Sequence, residues 1–437
     1  MSPLETGILI GVTTIVVLAT GIPVAFGLAI VAIAFLVIFE GLASISLVGE
    51  LFFSGLADFT LVSIPMFIAM GAAVAASPAG GDLYGALDRW LNRIPGGLAI
   101  SNLGACALFA ALSGSSPATC AAIGKMGIPE MRKRGYSDGL ATGSIAAGGT
   151  LGILIPPSVT MIVYGISTGT SIGRLFLAGI LPGLMLTLLF IAWSVYSAWR
   201  LGSRVMRTPG RFTLRQKLEQ LPRVGPFLLI IAGILYVLYG GVATPSEAAG
   251  VGALLCFVMV AVIYRMWRPR QIWDILKTST RESVMIMMII GAAALFSYTL
   301  SSLFVTQSIA AWIAALEVSR WVLLGAINVF LLVAGFFLPP VAVILMTAPI
   351  LLPIITQVGF DPYWFAVVLT VNMEIGLITP PVGLNLYVIN GIVPDVGLPR
   401  ILYGALPFVL LMALGILLLC VFPQIATWLP EVLMGPA

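Results

Sequence analysis

Of 437 residues, 60% are hydrophobic and 9% charged, mean hydropathy is +1.12, and 21 Lys and Arg against 17 Asp and Glu give a net charge of +4. A soluble domain carries about 25% charged residues, so this composition excludes a soluble enzyme or binding module and requires a polytopic membrane protein. No histidine is present, which removes the commonest metal ligand and neutral-pH proton relay. The basic excess sits between apolar runs, where it marks a cytoplasmic surface and no nucleic-acid site.

The first apolar run begins near Met1 without a basic leader and continues through residue 39, so it reads as retained spans and not as a cleaved signal. Residues 4–21 and 23–39 form two segments hinged at Gly21-Ile22-Pro23, each near the ~17–25 residues that cross a bilayer. Residues 41–60 carry Glu50 and Asp58 but no Lys or Arg, which places them outside, and Ile64-Pro65 opens a third span that reaches Ala79. Arg89 and Arg93 precede the apolar run 97–112, and Lys125, Arg132, Lys133 and Arg134 follow the kernel Ser113-Gly114-Ser115-Ser116-Pro117. Basic clusters at both ends predict a re-entrant hairpin with the serines at its tip. From Ser137 the chain crosses outward through Gly152-Ile153-Leu154-Ile155-Pro156-Pro157, and from Ile172 it returns to a loop with Arg200, Arg204, Arg207, Arg211, Arg215, Lys217 and Arg223. Those charges place the loop in the cytoplasm.

The second half predicts spans over 224–264, then a basic amphipathic stretch at 265–282 whose Trp267 and Trp273 suit a helix in the headgroup layer. A span at 284–302, a second hairpin at 321–357 with Leu338-Pro339-Pro340 at its tip, a broken helix at 362–393 and a last span at 401–422 complete the chain.

The two halves echo each other. Gly376 to Pro381 repeats Gly152 to Pro157 at an offset of 224, which also relates Gly135 to Gly359 and Pro129 to Pro353. Smaller shifts relate Ser63 and Gly71-Ala72-Ala73 to Ser283 and Gly291-Ala292-Ala293, and Pro23 to Pro245. Five spans per half, an odd number, turn the second half upside down and leave both termini outside. The expected fold is an all-α polytopic membrane protein, an inverted-topology repeat with two re-entrant hairpins and two broken helices, of the elevator transporter type. The first repeat is 1–200, the cytoplasmic linker 201–223 and the second repeat 224–437; 97–169 and 321–393 form the transport domain and the remaining spans the scaffold.

Irregular backbone at membrane depth is tolerated only where protein or a cavity surrounds it, which is where transporters hold their cargo. Hydroxyls and non-helical carbonyls at the first hairpin tip suit a hard cation such as sodium. Counting inward from Asp361 puts Glu374 near mid-membrane, either in a functional role or in an ion pair between helices. Asn372 and Asn385 read as ligands or as interhelical hydrogen-bonding groups. Glu247 follows Thr244-Pro245-Ser246 and reads as a helix cap. The four cysteines, Cys106, Cys120, Cys256 and Cys420, lack metal-type spacing and read as small apolar residues. No phosphate loop, zinc motif or nucleophile elbow occurs, so energy must come from an ion gradient or a partner.

Ser113-Gly114-Ser115-Ser116-Pro117-Ala118-Thr119, Ile128-Pro129-Glu130-Met131, Gly135-Tyr136, Ile155-Pro156-Pro157-Ser158 and Ile375-Gly376 through Asn385-Leu386-Tyr387 resemble the large membrane subunit of tripartite ATP-independent periplasmic (TRAP) transporters along essentially the whole chain. The resemblance implies a sodium-driven elevator importer of small organic acids in the bacterial inner membrane. It also implies two partners, a four-helix small membrane subunit and a periplasmic substrate-binding protein, beside membrane lipid and no organic cofactor. By motif match, sodium is expected at Ser113, Gly114, Ser115, Gly152, Pro156, Gly376, Thr379, Pro380 and Gly383, mostly through backbone carbonyls. Substrate is expected at Ser115, Ser116, Asn372, Thr379 and Asn385. One departure stands out, because Pro339 occupies the second hairpin tip where many relatives carry an acid. The nearest rival is a solitary elevator-type carboxylate or ion carrier. An enzyme of lipid or peptidoglycan precursors lacks a reactive cluster, and a channel has no use for two occluding hairpins.

Overall fold

The computed structural model describes residues 1–94, 96–200, 212–315 and 318–435, and among these every regular element is a helix. Arg204, Arg207 and Arg211 of the expected cytoplasmic loop lie outside the described residues. Helices α1 (Pro3–Ala19) and α2 (Val24–Glu40) part where Gly21, at φ +83, takes a turn that a side chain would resist. Then come α3 (Ile45–Leu56), α4 (Ser63–Ala75) and the amphipathic α5 (Ala79–Leu91). Hairpin 1 is α6 (Gly97–Ser113) and α7 (Ser116–Lys133), the first broken helix is α8 (Asp138–Thr150) and α9 (Val159–Thr168), and α10 (Ile172–Arg200) returns.

After the short α11 (Leu214–Leu218), the order of elements recurs: α12 (Leu221–Tyr239), α13 (Pro245–Tyr264), α14 (Pro269–Ser302) and α15 (Val305–Ala315). Hairpin 2 is α16 (Arg320–Phe337) and α17 (Pro340–Gln357), the second broken helix is α18 (Pro362–Leu377) and α19 (Leu384–Ile392), and α20 (Leu398–Val421) and α21 (Gln424–Met434) end the chain. Among the described residues, seven helices are long and apolar enough to cross a membrane, or eight with Leu42–Leu56 and Phe59–Ala75 as one bent pair. The halves of the broken helices fall short of a full crossing because the Pro-Pro pairs divide them.

Three elements depart from the sequence reading. The expected amphipathic stretch 265–282 and span 284–302 are one helix from Pro269 onward, because no Gly or Pro lies between Arg270 and Ile290 to stop it. In the first half the corresponding pieces are separate and bent by 62°, where Asp58 accepts a hydrogen bond from the Thr60 amide and starts a new turn. Helix α3 was not anticipated within 41–60 and packs against α14: Phe52 fills the space beside Gly291, and Gly55 faces Ala294. Helix α21 was not anticipated. Arg174 of α10 donates to the Met434 and Gly435 carbonyls at its end, each at 3.0 Å, the favourable placement for a cation at a helix C-terminus. Glu247 caps α13 as expected, accepting from the Thr244 amide at 2.8 Å.

Packing is reciprocal between the halves. Helix α13 lies on α4 and α14 on α2; α9 lies on hairpin 2 through α17, and α19 lies on hairpin 1 through α7. The tightest seam joins α8 to α20, where Gly139 and Gly143 meet Gly404 backbone to backbone, the small-residue contact that membrane helices use in place of a hydrophobic drive. At the foot of hairpin 1, Arg132 pairs with Asp138 at 3.0 Å and Asp395 at 2.6 Å, and Arg134 with Asp88 at 3.1 Å and Glu130 at 2.9 Å. The α8–α20 seam yields a direct expectation. Gly404→Val forces side-chain atoms into the Gly139 backbone and lowers stability by about 1–3 kcal/mol, read as the unfolding midpoint in detergent. Gly325→Ala, at a position with open space around it, leaves the midpoint unchanged or slightly raised.

Candidate functional site

Hairpin 1 reverses because Gly114, at φ +57, ends α6 in a left-handed conformation and Ser115 resumes in extended geometry before α7. The tip is wired internally. Ser113 Oγ lies 2.9 Å from Thr119 Oγ1, Thr119 Oγ1 donates to the Ser115 carbonyl at 2.9 Å, and the Ser115 amide donates to Ser113 Oγ at 3.4 Å. Ser115 Oγ makes no hydrogen bond among the described residues.

The tip sits on the first break. A Cβ at Gly152 would come within 3.0 Å of the Ser115 carbonyl, and one at Gly114 within 3.1 Å of the Pro157 carbonyl. Only glycine permits that approach. Prolines 156 and 157 have no N–H, so the carbonyls of Gly152 and Ile153 lose the donors four residues on. Ser158 Oγ donates to Ile153 and accepts from the Met161 amide at 3.3 Å, which starts α9. The Gly152 carbonyl is left without its helical donor, and Gly152 is buried against the backbone of Ser115 and Ser116.

The second break repeats the chemistry in a more open setting. Pro380 and Pro381 deprive the Gly376 and Leu377 carbonyls of donors, Thr379 Oγ1 donates to the Ile375 carbonyl at 2.7 Å, and Gly383, at φ +44, begins α19. Pro380, Pro381 and Val382 are exposed, whereas Pro156 and Pro157 are buried. Both Pro-Pro bonds are cis.

Asn385 joins the two repeats. Its Nδ2 donates to Ser116 Oγ at 2.7 Å and to the Ala146 carbonyl at 3.0 Å, and its buried Oδ1 has no donor. The structure therefore brings together Ser113, Gly114, Ser115, Ser116, Gly152, Pro156 and Asn385, with Gly383 and Thr379 on the chain leading into Asn385. Asn372 and Gly376 lie apart from this group, against hairpin 2. Asn372 Nδ2 donates to Asn328 at its carbonyl, 3.0 Å, and at Oδ1, 2.8 Å, while Gly376 abuts the Gly335 backbone. Glu374 is fully buried, and neither carboxyl oxygen has a hydrogen-bond partner. The ion pair considered for it from sequence is not among those of the described residues.

Two residues outside the expected set complete the arrangement. Thr119 was visible one turn beyond the serines, at the spacing that lets a hydroxyl reach back to the tip carbonyl. Asn328, the partner of Asn372, carried only the weak signal of an amide in an apolar helix. Among the described residues no group of three His, Cys, Asp or Glu could hold a metal ion, so a cation here would be held by carbonyl, hydroxyl and amide oxygens, the donors a hard ion takes.

The profile of the tripartite ATP-independent periplasmic transporter DctM component matches residues 12–425. The C4-dicarboxylate TRAP transporter large permease protein DctM of Pseudomonas aeruginosa is 39% identical over 371 residues, covering 84% of this chain and 86% of that protein. The chain belongs to the DctM family of TRAP transporter large permeases. Two further relatives are the C4-dicarboxylate permease of Vibrio cholerae, 37% identical over 78% of this chain and 79% of that one, and the ectoine/5-hydroxyectoine permease UehC of Ruegeria pomeroyi, 33% identical over 84% and 85%. The fold of this DctM-family chain is similar to that of the Alcanivorax borkumensis YdaH transporter, with a TM-score of 0.63 at 16% identity over 92% and 91% of the two chains. It is similar also to Neisseria gonorrhoeae MtrF, with a TM-score of 0.57 at 14% identity over 89% and 85%.

The Asn385–Ser116 bond supplies the site's test. Asn385→Leu leaves Ser116 buried with one partner fewer and lowers stability by about 1–3 kcal/mol. Ser116→Ala then adds less than its own single effect, with a coupling of about 0.5–3 kcal/mol in a double-mutant cycle. Strict additivity of the two in unfolding midpoints would show that the bond contributes nothing.

Proposed function

We propose that this DctM-family permease imports small organic acids, C4-dicarboxylates first among them, driven by a sodium gradient. The single observation that carries the reading is the serine tip of hairpin 1 packed against buried Gly152 at the first break, with Asn385 bonded to Ser116 of that tip and its Oδ1 left without a donor. Oxygen atoms without hydrogen-bond donors, enclosed at a helix break, are what a dehydrated sodium ion needs. Sodium at the tip would order Ser113 to Thr119 and present the amides at the start of α7 to a substrate carboxylate, which a helix N-terminus favours by its dipole. The C4-dicarboxylate assignment rests on relatives at 39% and 37% identity named for that substrate; relatives named for ectoine and isethionate, at 33% and 35%, widen the class.

In this reading the chain works as an elevator between two inverted repeats, with the linker 201–223 cytoplasmic and both termini periplasmic. The reciprocal packing of α9 on hairpin 2 and α19 on hairpin 1 supports such a pair of repeats. The moving body comprises 97–169 and 321–393, and the glycine seam between α8 and α20 argues that Leu398–Val421 travels with it. A small membrane subunit braces the remaining spans, and a periplasmic binding protein delivers the substrate.

The test is uptake into vesicles. The chain with its small subunit and binding protein takes up C4-dicarboxylate in proportion to an imposed sodium gradient, and the chain alone takes up little. Ser115→Ala, which removes the unengaged tip hydroxyl, raises the sodium concentration for half-maximal uptake roughly tenfold, the equivalent of one ionic contact. Ser194→Ala in α10 does not. Gradient-driven uptake by the chain alone would favour the solitary carrier, and an unchanged sodium dependence for Ser115→Ala would remove the tip from the ion site.

A further inference from the structure

Helix α14 is 34 residues long, about 51 Å at ~1.5 Å per residue. A hydrocarbon core is ~30 Å thick and a whole bilayer with headgroups ~40–45 Å, so a modest tilt lays this helix across the full membrane. Its apolar part from Val284 onward, about 28 Å long, fills the core, and residues 269–281, about 20 Å long, cross one headgroup layer and extend past it. Along that end Ile275 and Ser279 are buried against the protein, and Ser283 continues their face. The opposite face shows Arg270, Lys277 and Arg281, all exposed, at spacings that stack them in one stripe. Arg265 and Arg268 precede the helix and are exposed too. Asp274 is the one exposed acid between residues 265 and 281, and none of the five cations makes an ion pair among the described residues. Trp267 and Trp273 flank the stripe, 61% and 66% exposed, and indole rings are the side chains that anchor to headgroups.

We infer that this stripe binds the headgroups of anionic phospholipids and pins the non-moving part of the permease to the cytoplasmic leaflet. The charge excess matches the sign of that leaflet, and basic residues beside a membrane-spanning helix are each attracted to it. A continuous helix makes the anchor stiff: a headgroup held at Arg270 or Lys277 fixes the depth of the same rod that packs on α2 and α3. That would give the moving body a frame to slide against. The sidedness rests on the orientation proposed above, but the lipid preference does not.

The experiment uses the full-length chain in phosphatidylcholine vesicles containing a minor fraction of brominated lipid, either phosphatidylglycerol or phosphatidylcholine, in both leaflets. Quenching of Trp267 and Trp273, isolated by subtracting a Trp267→Phe, Trp273→Phe variant, reports which lipid gathers at the stripe. Brominated phosphatidylglycerol is expected to be preferred by about fivefold or more, and less so as salt rises. Combined Arg270→Gln, Lys277→Gln and Arg281→Gln abolish the preference while the protein elutes as before in gel filtration. Equal quenching by both lipids, or a preference that survives the triple substitution, overturns the inference. So does loss of purified small-subunit binding in the triple variant with the lipid preference intact, which would make the stripe a protein interface. Because both leaflets carry the probe, none of these outcomes depends on sidedness or on sodium coupling.

Discussion

A helix interrupted inside a bilayer leaves carbonyl groups that lipid cannot satisfy, at a cost of several kcal/mol each, and the rest of this structure is arranged around two such interruptions. The Pro-Pro pairs at 156–157 and 380–381 remove the donors for Gly152 and Gly376. Hairpin 1 answers the first with a tip whose left-handed Gly114 lets the backbone come within contact of Pro157 and Gly152. Asn385 ties that tip to the second broken helix, so ordering one break bears on the other. Glycine seams at Gly139, Gly143 and Gly404 and at Gly335 and Gly376 let the surrounding helices approach closely enough to seal the region from lipid.

The two breaks share chemistry but not surroundings. The first is enclosed by hairpin 1, and the second leaves Pro380 to Val382 exposed, since hairpin 2 meets α18 earlier, at Asn328–Asn372 and Gly335–Gly376. Pro339 and Pro340 at the second tip have no N–H to donate.

Much of this was legible in the sequence, for identifiable reasons. Pro-Pro after Gly-Ile-Leu-Ile or Gly-Leu-Ile-Thr breaks a helix, and Ser113-Gly114-Ser115-Ser116-Pro117 turns the chain, so the breaks and the first turn stood out. The family followed from ordered motifs along the chain. What failed to show was anything decided by packing between distant segments: the Asn385–Ser116 bond links residues 269 apart in sequence, and a lone Asn says nothing of its partner. The continuity of α14 was hidden because a change from amphipathic to apolar pattern looks like a boundary, although no residue there stops a helix. Helix α21 was hidden behind Phe422-Pro423, which ends one helix and begins the next. That Glu374 is fully buried without a hydrogen-bond partner could be known only from its neighbours.

The central claim is that hairpin 1 and the first break together form an ion site whose occupancy orders the tip. Amide hydrogen exchange of the segment from Gly114 to Thr119, measured in detergent with sodium chloride and with choline chloride at equal ionic strength, tests it most directly. Exchange slowed severalfold by sodium at the tip, and unchanged in the distant α1–α2 hairpin, is the expected result. Identical exchange at the tip in both salts would contradict the account.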